Sequence, residues 1–320
     1  MLNTLAILFP VFALIFAGFI ARKSGVLGEN SARELSRFVV WLALPALLFE
    51  IMAKSDWQQM WQGDFIAVYT IGSFAVFFLV LVWRLWQKQN MADASVDGIA
   101  ASYSNTGYIG FPLMLLIFGT ASEVVTALAS VIVVSLLFGF AVILIETTLH
   151  AKMAWHIRLW NVFKSVFKNP LVVAPIAGAL FAATPFTLSA PFDNFLTLLA
   201  GAASPAALVS LGLFLADAWA DKRRNGHEVR KTALSLTAVK LIVQPVLIAW
   251  LALVVFDMGV EMALMAIVLA ALPTGTGPYM LAEFYRRDAL ITARTILLST
   301  VLSVLSLSVL LHILGLNVSS

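Results

Sequence analysis

One apolar segment of the chain, residues 98–118, is interrupted near its middle by SNTGYIGFP at residues 104–112. A second apolar segment, residues 260–282, is interrupted by LPTGTGPY at residues 272–279. Proline removes a backbone donor and clashes with the preceding turn, whereas glycine permits an unwound backbone. Lipid cannot satisfy the freed amide and carbonyl groups, so a spanning helix tolerates such a break only where it is buried in protein or lines a polar cavity. The two segments therefore predict two broken helices whose breaks face the protein interior.

The composition of the whole chain indicates a membrane protein. Of its 320 residues, 61% are hydrophobic and only 12% are charged, and the mean hydropathy is +0.96. Soluble domains carry about 25% charged residues, so lipid must solvate much of this surface. We attribute the net charge of +3 to membrane topology rather than to a nucleic-acid partner. The absence of cysteine excludes disulfides, thiolate metal sites and cysteine nucleophiles.

The sequence contains about ten segments of the roughly 20 mostly apolar residues that a spanning helix needs. They lie at residues 3–21, 36–53, 65–86, 98–118, 122–147, 170–187, 192–217, 231–255, 260–282 and 289–314. Only residues 148–169 and 218–230 are long enough to be loops, which leaves no room for a soluble domain. The first segment precedes its cations, the reverse of a cleavable signal peptide, so we expect a helix with its N-terminus outside.

Lysine and arginine predict the orientation of these helices. In the ten-helix arrangement, all but two of the 20 basic residues lie between helices on one face. The exceptions are Lys54, on the opposite face, and Lys240, inside helix 8. The positive-inside rule makes the basic face cytoplasmic. We therefore expect an integral protein of the cell (inner) membrane with both termini outside, in the periplasm.

Ten helices divide into two sets of five, residues 1–150 and 170–320, joined by a central cytoplasmic loop at residues 151–169. Because each set crosses the membrane an odd number of times, the second set enters it upside down relative to the first. The predicted fold class is thus an all-α membrane protein made of two inverted five-helix repeats. The two broken segments are then helix 4 and helix 9, the fourth helix of each repeat.

A weak internal repeat fits this division. PALL at residues 45–48 and PAAL at residues 205–208 are separated by half the chain, and Gly18 and Gly178 share the same separation. Paired interruptions at corresponding positions of two halves point to the midplane binding site of a transporter.

The breaks supply the predicted substrate-binding residues. Each following half-helix presents free amide groups and the positive end of a dipole, which suits a carboxylate. Asn105, Thr274 and Thr276 add side-chain donors, and the glycines let the backbone approach a ligand. The predicted set is Asn105, Thr106, Gly107, Gly110, Pro112, Pro273, Thr274, Gly275, Thr276, Gly277 and Pro278. The alternative is a pair of kinked helices that pack through small residues and bind nothing.

Lys240 lies about nine residues from the cytoplasmic end of helix 8, which is roughly 13 Å deep at 1.5 Å per residue. A lysine at that depth costs on the order of 2.5–3.5 kcal/mol, so we expect it to face the interior and meet a partner. Gln244 lies one turn further on the same face. Two roles for Lys240 remain open: a counter-charge for an anionic substrate, or a fixed cation that neutralises the carbonyl ends of the broken helices.

Among the other charged residues, Glu283 follows the break in helix 9 closely and is a candidate for ion coupling or gating. The four histidines fall in loops or near the C-terminus, so the sequence predicts no metal site.

NTGYIGFP at residues 105–112, ALPTGTGPYMLAEFY at 271–285 and LPAL at 44–47 resemble the auxin efflux carrier family of permeases. The likeness extends over the whole chain. It implies a fold similar to sodium/proton antiporters and bile-acid symporters, with two broken helices that cross in an X and bind substrate at the crossing. The bacterial branch includes proteins called malonate or malate permeases, which implies a small organic anion as substrate. The long central loop of the plant members is absent here, so the resemblance does not extend to auxin itself.

We therefore expect a secondary transporter that moves a small organic anion, such as a mono- or dicarboxylate, by alternating access. A membrane sensor or receptor is the alternative, although the short loops offer little output surface. An intramembrane enzyme is a weaker one, since HExxH, GxGD and GxSxG are absent and no cofactor motif is found. The expected partners are the anion and the lipid bilayer, with no nucleic acid and no cofactor. The sequence leaves open the anion, the direction of transport, a coupled proton or sodium ion, and a homodimer.

Overall fold

The computed structural model describes residues 2–55, 61–149, 160, 170–220 and 227–316. Within these residues every regular element is a helix, as the sequence predicts. The predicted central loop at 151–169 lies outside the described residues, except for Trp160.

The helices follow one another with short connections. The first half of the chain forms α1 (Leu2–Lys23), α2 (Ser31–Ala53), α3 (Gly63–Trp86), α4 (Met91–Ser102), α5 (106–118) and α6 (123–149). The second half forms α7 (Pro170–Ala182), α8 (Ala190–Trp219), α9 (Glu228–Val255), α10 (Val260–Ala271), α11 (Gly277–Phe284) and α12 (Ala289–Ile313). The pairs α4/α5 and α10/α11 occupy the two segments that the sequence predicts as broken helices.

Six stretches of helix in the described residues are long and apolar enough to cross a membrane. They are α2, α3, the continuous pair α5 and α6, α8, α9 and α12. The apolar helices α7 and α10 are shorter, and α10 is short because the break ends it at Ala271. The protein is therefore an all-helical membrane protein.

Two helices begin earlier than hydropathy predicts. Helix α2 starts at Ser31 instead of residue 36, and α4 starts at Met91 instead of residue 98. The added turns contain charged and other polar residues, and α4 is capped by Asn90, whose side chain accepts a hydrogen bond from the backbone amide of Asp93. The predicted boundaries were wrong there because an apolar run marks the lipid-embedded part of a helix and omits its polar first turns.

Three prolines inside long helices are accommodated by widened π turns. Each turn ends two residues before its proline: Val39–Ala43 before Pro45, Thr106–Gly110 before Pro112, and Val239–Val243 before Pro245. Because proline has no amide hydrogen and crowds the preceding turn, a locally wider turn relieves the clash without ending the helix. All three turns contain residues of the candidate site described below.

Glycines allow two helix pairs to approach closely. A Cβ on Gly18 of α1 would overlap the carbonyl oxygen of Val209 in α8, and a Cβ on Gly178 of α7 would overlap that of Phe49 in α2. Small residues at such contacts let helix backbones meet in a membrane, where burial of apolar surface gives no driving force between helices. The two contacts are made by corresponding residues of the two halves. Gly18 and Gly178 are separated by half the chain, and so are Phe49 and Val209.

Ion pairs join helix ends that the sequence predicts on the same face. On the predicted inner face, Arg22 Nε donates to Asp217 Oδ1 at 2.7 Å. On the predicted outer face, Lys54 pairs with Asp193 and Glu50, each at 2.7 Å. The hydrogen bond to Asp193 and that to Glu50 raise the pKa of Lys54 above its ordinary value. These contacts agree with the predicted alternation of helix ends between two faces.

Candidate functional site

The two breaks lie against each other in the protein interior. Ser104 and Thr274 form an antiparallel bridge, in which the Asn105 amide donates to the Pro273 carbonyl at 2.9 Å and the Gly275 amide donates to the Tyr103 carbonyl at 3.0 Å. Each unwound segment thus satisfies backbone groups that the other leaves without helical partners. The crossing joins segments far apart in the chain.

Side chains from the second break and from α9 cap the carbonyl end of α4. The Thr274 hydroxyl donates to the Ala100 carbonyl at 2.8 Å, and Gln244 Nε2 of α9 donates to the Ser102 carbonyl at 3.0 Å. A helix C-terminus carries unpaired carbonyl groups and the negative end of the helix dipole, so donors are favoured there.

The carbonyl end of α10 is capped in the same way. Lys240 Nζ of α9 donates to the Ala270 carbonyl at 2.6 Å, and the Tyr69 hydroxyl of α3 donates to the Leu269 carbonyl at 3.3 Å. Lys240 is completely buried. Its contact is the one expected of a group that neutralises the end of a broken helix.

A cavity of about 130 Å³ lies at the amino-terminal ends of the other two half-helices. Its apolar walls come from α2, α5, α6, α7 and α11, and consist of Val40, Leu44, Leu48, Phe111, Val134, Phe138, Leu171 and Met280. Its polar groups come from both breaks and from Ser130 of α6. Among the described residues no charged side chain lines it.

Asn105 provides an unused donor at this cavity. It is 3% exposed and lines the cavity, yet its Nδ2 has no hydrogen-bond partner in the described part of the chain. Its Oδ1 accepts a hydrogen bond from the Tyr108 amide at 3.3 Å and so caps α5. A buried amide donor left unpaired costs free energy unless a ligand or water meets it.

The two half-helices that begin at the cavity turn their positive ends toward it. Helix α5 starts at Thr106 and α11 starts at Gly277, and both residues line the cavity. The first amides of a helix have no partner within it, so this end of the cavity carries partial positive charge without a cationic side chain. The crossing therefore separates the positive ends of two half-helices from the carbonyl ends that Lys240 and Gln244 cap.

The structure divides the predicted site residues into two groups. Five line the cavity: Asn105, Thr106, Gly107, Thr276 and Gly277. The others do not line it: Gly110, Pro112, Lys240, Gln244, Pro273, Thr274, Gly275 and Pro278. Gly110 faces the Leu272 side chain, whereas Thr274, Lys240 and Gln244 hold the helix ends. Glu283, the candidate for coupling or gating, is exposed on α11.

The glycines of the second break make room for an aromatic ring. A Cβ on Gly275 or on Gly277 would lie 2.9 Å from the ring of Tyr103. The ring of Tyr103 therefore covers the backbone of this break at both glycines. Of the two, Gly277 also lines the cavity.

Sequence reasoning missed three polar residues of the cavity, namely Tyr103, Tyr108 and Ser130. The Tyr108 hydroxyl donates to Ser36 Oγ of α2 at 3.2 Å, and Ser36 is 2.8 Å from Ser210 Oγ of α8. Tyr103 directly precedes the interruption in helix 4 and Tyr108 lies within it, which was the available signal. Ser130 lies in α6, outside both breaks, and no sequence signal marked it as a cavity residue.

Comparison with known proteins identifies relatives over most of the chain. The sequence profile of the family described as membrane transport protein matches residues 4–311. A protein of Rhizobium meliloti named putative malonate transporter is 28% identical, over 95% of this chain and 94% of its own length. An uncharacterized transporter of Methanothermobacter thermautotrophicus is 26% identical, over 93% and 94%. The mouse lysosomal cholesterol signaling protein is 29% identical over 75% of this chain, which corresponds to 29% of that protein.

Proposed function

Since the chain belongs to the membrane transport protein family, we propose that it is a secondary transporter that moves a small organic anion across the inner membrane by alternating access. The protein is a membrane transporter of that family and not an enzyme. The observation that carries the proposed substrate class is Asn105, a residue that lines a cavity where two half-helices begin and whose buried Nδ2 has no partner among the described residues.

The chemistry of the cavity supports a small anion. The positive dipole ends of the two half-helices and the amide donor of Asn105 suit a carboxylate, which accepts several hydrogen bonds. Pockets that bind drug-sized ligands have volumes of roughly 300–1,000 Å³, whereas the volume of this cavity is about 130 Å³. The name of the relative in Rhizobium meliloti points to the same class, and we take malonate as the first substrate to test.

We propose that the chain consists of two inverted five-helix repeats, residues 1–150 and 170–320. The paired contacts of Gly18 with Val209 and of Gly178 with Phe49 support this, because a two-fold relation exchanges one contact for the other. The two breaks then occupy equivalent positions, and one bundle rocks against the other around the crossing, as in transporters built from inverted repeats.

We also propose that the basic face is cytoplasmic and that both termini are periplasmic. Cysteine labelling checks this directly, because the chain contains no cysteine. Gln89, between α3 and α4, and Thr184, between α7 and α8, are both exposed. In intact cells, a membrane-impermeant thiol reagent should label T184C and not Q89C, and permeabilised cells should show both. Labelling of Q89C in intact cells would contradict the orientation.

Counterflow of labelled malonate in proteoliposomes tests the function, and Asn105→Ala tests the site. Wild-type protein should accumulate label against unlabelled malonate inside the vesicles, which neither a receptor nor an enzyme would do. Asn105→Ala should weaken binding by roughly 1–3 kcal/mol, because the anion loses a buried donor.

Two comparisons separate binding from folding in this experiment. Asn105→Asp keeps the oxygen that caps α5 but places a carboxylate against the anion, so binding should fall further with the fold retained. Leu136→Ala, on the exposed face of α6, should behave as wild type. If both Asn105 variants bind malonate as wild type does, the proposed site is wrong.

A further inference from the structure

Tyr103 is fixed in place by its ring. The ring lies on the backbone of Gly275 and Gly277, and it meets Phe138 of α6 edge to face with 6.5 Å between ring centroids. Its backbone carbonyl accepts the hydrogen bond from the Gly275 amide that closes the crossing. The side chain therefore has little freedom to turn away from the cavity that it lines.

The hydroxyl of Tyr103 contributes to none of these contacts. In the part of the chain that the structure describes it has no hydrogen-bond partner. The hydroxyls of Tyr69 and Tyr108, by contrast, donate to the Leu269 carbonyl and to Ser36. The packing needs the aromatic ring of Tyr103, but the fold makes no use of its oxygen.

The hydroxyl stands beside the first residue of α11. Its oxygen is 3.1 Å from the place that a Cβ on Gly277 would occupy. Asn105 directly precedes α5 and lines the same cavity, and its Nδ2 has no partner among the described residues. The cavity thus has two half-helix starts, and each is accompanied by one unused donor.

We infer that Tyr103 is a specificity-determining residue, whose hydroxyl donates a hydrogen bond to a second polar group of the substrate. The site then prefers a dicarboxylate, with one carboxylate at Asn105 and the other at Tyr103, over a monocarboxylate of the same shape. The inference rests on the proposed function, because it assigns the Tyr103 hydroxyl to the second carboxylate of an anion bound at the proposed site. A phenol donates to a carboxylate and has nothing to offer an alkyl group.

The test compares two ligands that differ only in that second group. Malonate carries two carboxylates, and 3-methylbutanoate replaces one of them with an isopropyl group of similar size. Affinities come from ligand-induced thermal stabilisation of the purified protein. Wild type should bind malonate more tightly than 3-methylbutanoate. Tyr103→Phe should weaken the binding of malonate about tenfold or more, since hydrogen bonds to charged groups are stronger than those between neutral groups. The affinity for 3-methylbutanoate should not change.

Tyr69→Phe is the matched control. It also removes one buried hydroxyl next to the crossing, but that hydroxyl caps α10 and does not line the cavity. It should lower the melting temperature without ligand and leave the ratio of the two affinities at its wild-type value. Tyr103→Phe should leave the melting temperature of the ligand-free protein unchanged and lower the ratio of the malonate affinity to the 3-methylbutanoate affinity.

An equal loss for both ligands in Tyr103→Phe, or no loss for either, would overturn the inference and leave the proposed function intact. So would a wild-type protein that binds 3-methylbutanoate as tightly as malonate. If neither ligand binds to wild type, the proposed function and the inference fail together.

Discussion

Lys240→Ala is expected to destabilise the protein by roughly 1–3 kcal/mol, whether or not substrate is present, and to abolish transport. The Ala270 carbonyl is the acceptor for Lys240 Nζ at 2.6 Å, in surroundings that exclude water. Leaving a buried acceptor without its donor costs about that much, and the end of α10 loses the group that offsets its dipole. Thermal unfolding of the detergent-purified variant measures the loss.

The two roles that the sequence left open for Lys240 predict different results. A lysine that bound substrate would leave the stability of the ligand-free protein nearly unchanged and remove only the ligand-induced shift. Lys231→Ala is the control, since Lys231 is exposed on the same helix. It should unfold at the same temperature as wild type. Lys240→Met keeps an unbranched side chain only one heavy atom shorter than lysine, and it should still destabilise because it has no donor. Unchanged stability in both Lys240 variants would refute a role in holding the helix end.

The crossing explains why Lys240 and Gln244 occur together. Both lie on α9, one turn apart, and each reaches the carbonyl end of a different half-helix. The donors at the carbonyl ends belong to the fold, whereas the free donor of Asn105 lies at the cavity. One arrangement of the backbone therefore creates a face that is capped and a face at which the anion is proposed to bind.

The sequence predicted the two breaks because glycine and proline act locally on the backbone. It also predicted that Lys240 is buried, since depth along a spanning helix follows from residue count. It could not predict which half-helix end Lys240 meets, because that depends on contact between α9 and α10 across the bundle. Tyr103 was missed for the same reason: its neighbours, Gly275 and Gly277, are distant in the chain. Periodicity shows which face of a helix is apolar, but it does not pair one break with another.

Gly277→Val is expected to reduce counterflow of malonate to background. The first added carbon would lie 2.9 Å from Cζ of Tyr103, closer than real Cβ contacts come, and valine adds two more carbons beyond it. The ring is held by Gly275 and Phe138, so it must shift into the cavity or the start of α11 must move. Either change alters the site where the anion is proposed to bind. Overpacking of this kind also costs about 1–3 kcal/mol in stability.

Gly259→Val is the matched control for this prediction. Gly259 directly precedes α10 on the same broken helix, and among the described residues no atom beyond its chain neighbours lies within 4 Å of the place its Cβ would take. That variant should transport as wild type does. In the double variant Gly277→Val with Tyr103→Ala, removal of the ring should restore much of the lost stability, because the clash is gone. The preference for malonate over 3-methylbutanoate should not return, because the Tyr103 hydroxyl is also gone. Full counterflow by Gly277→Val alone would show that the start of α11 tolerates a side chain, and the anion would then have to bind away from the crossing.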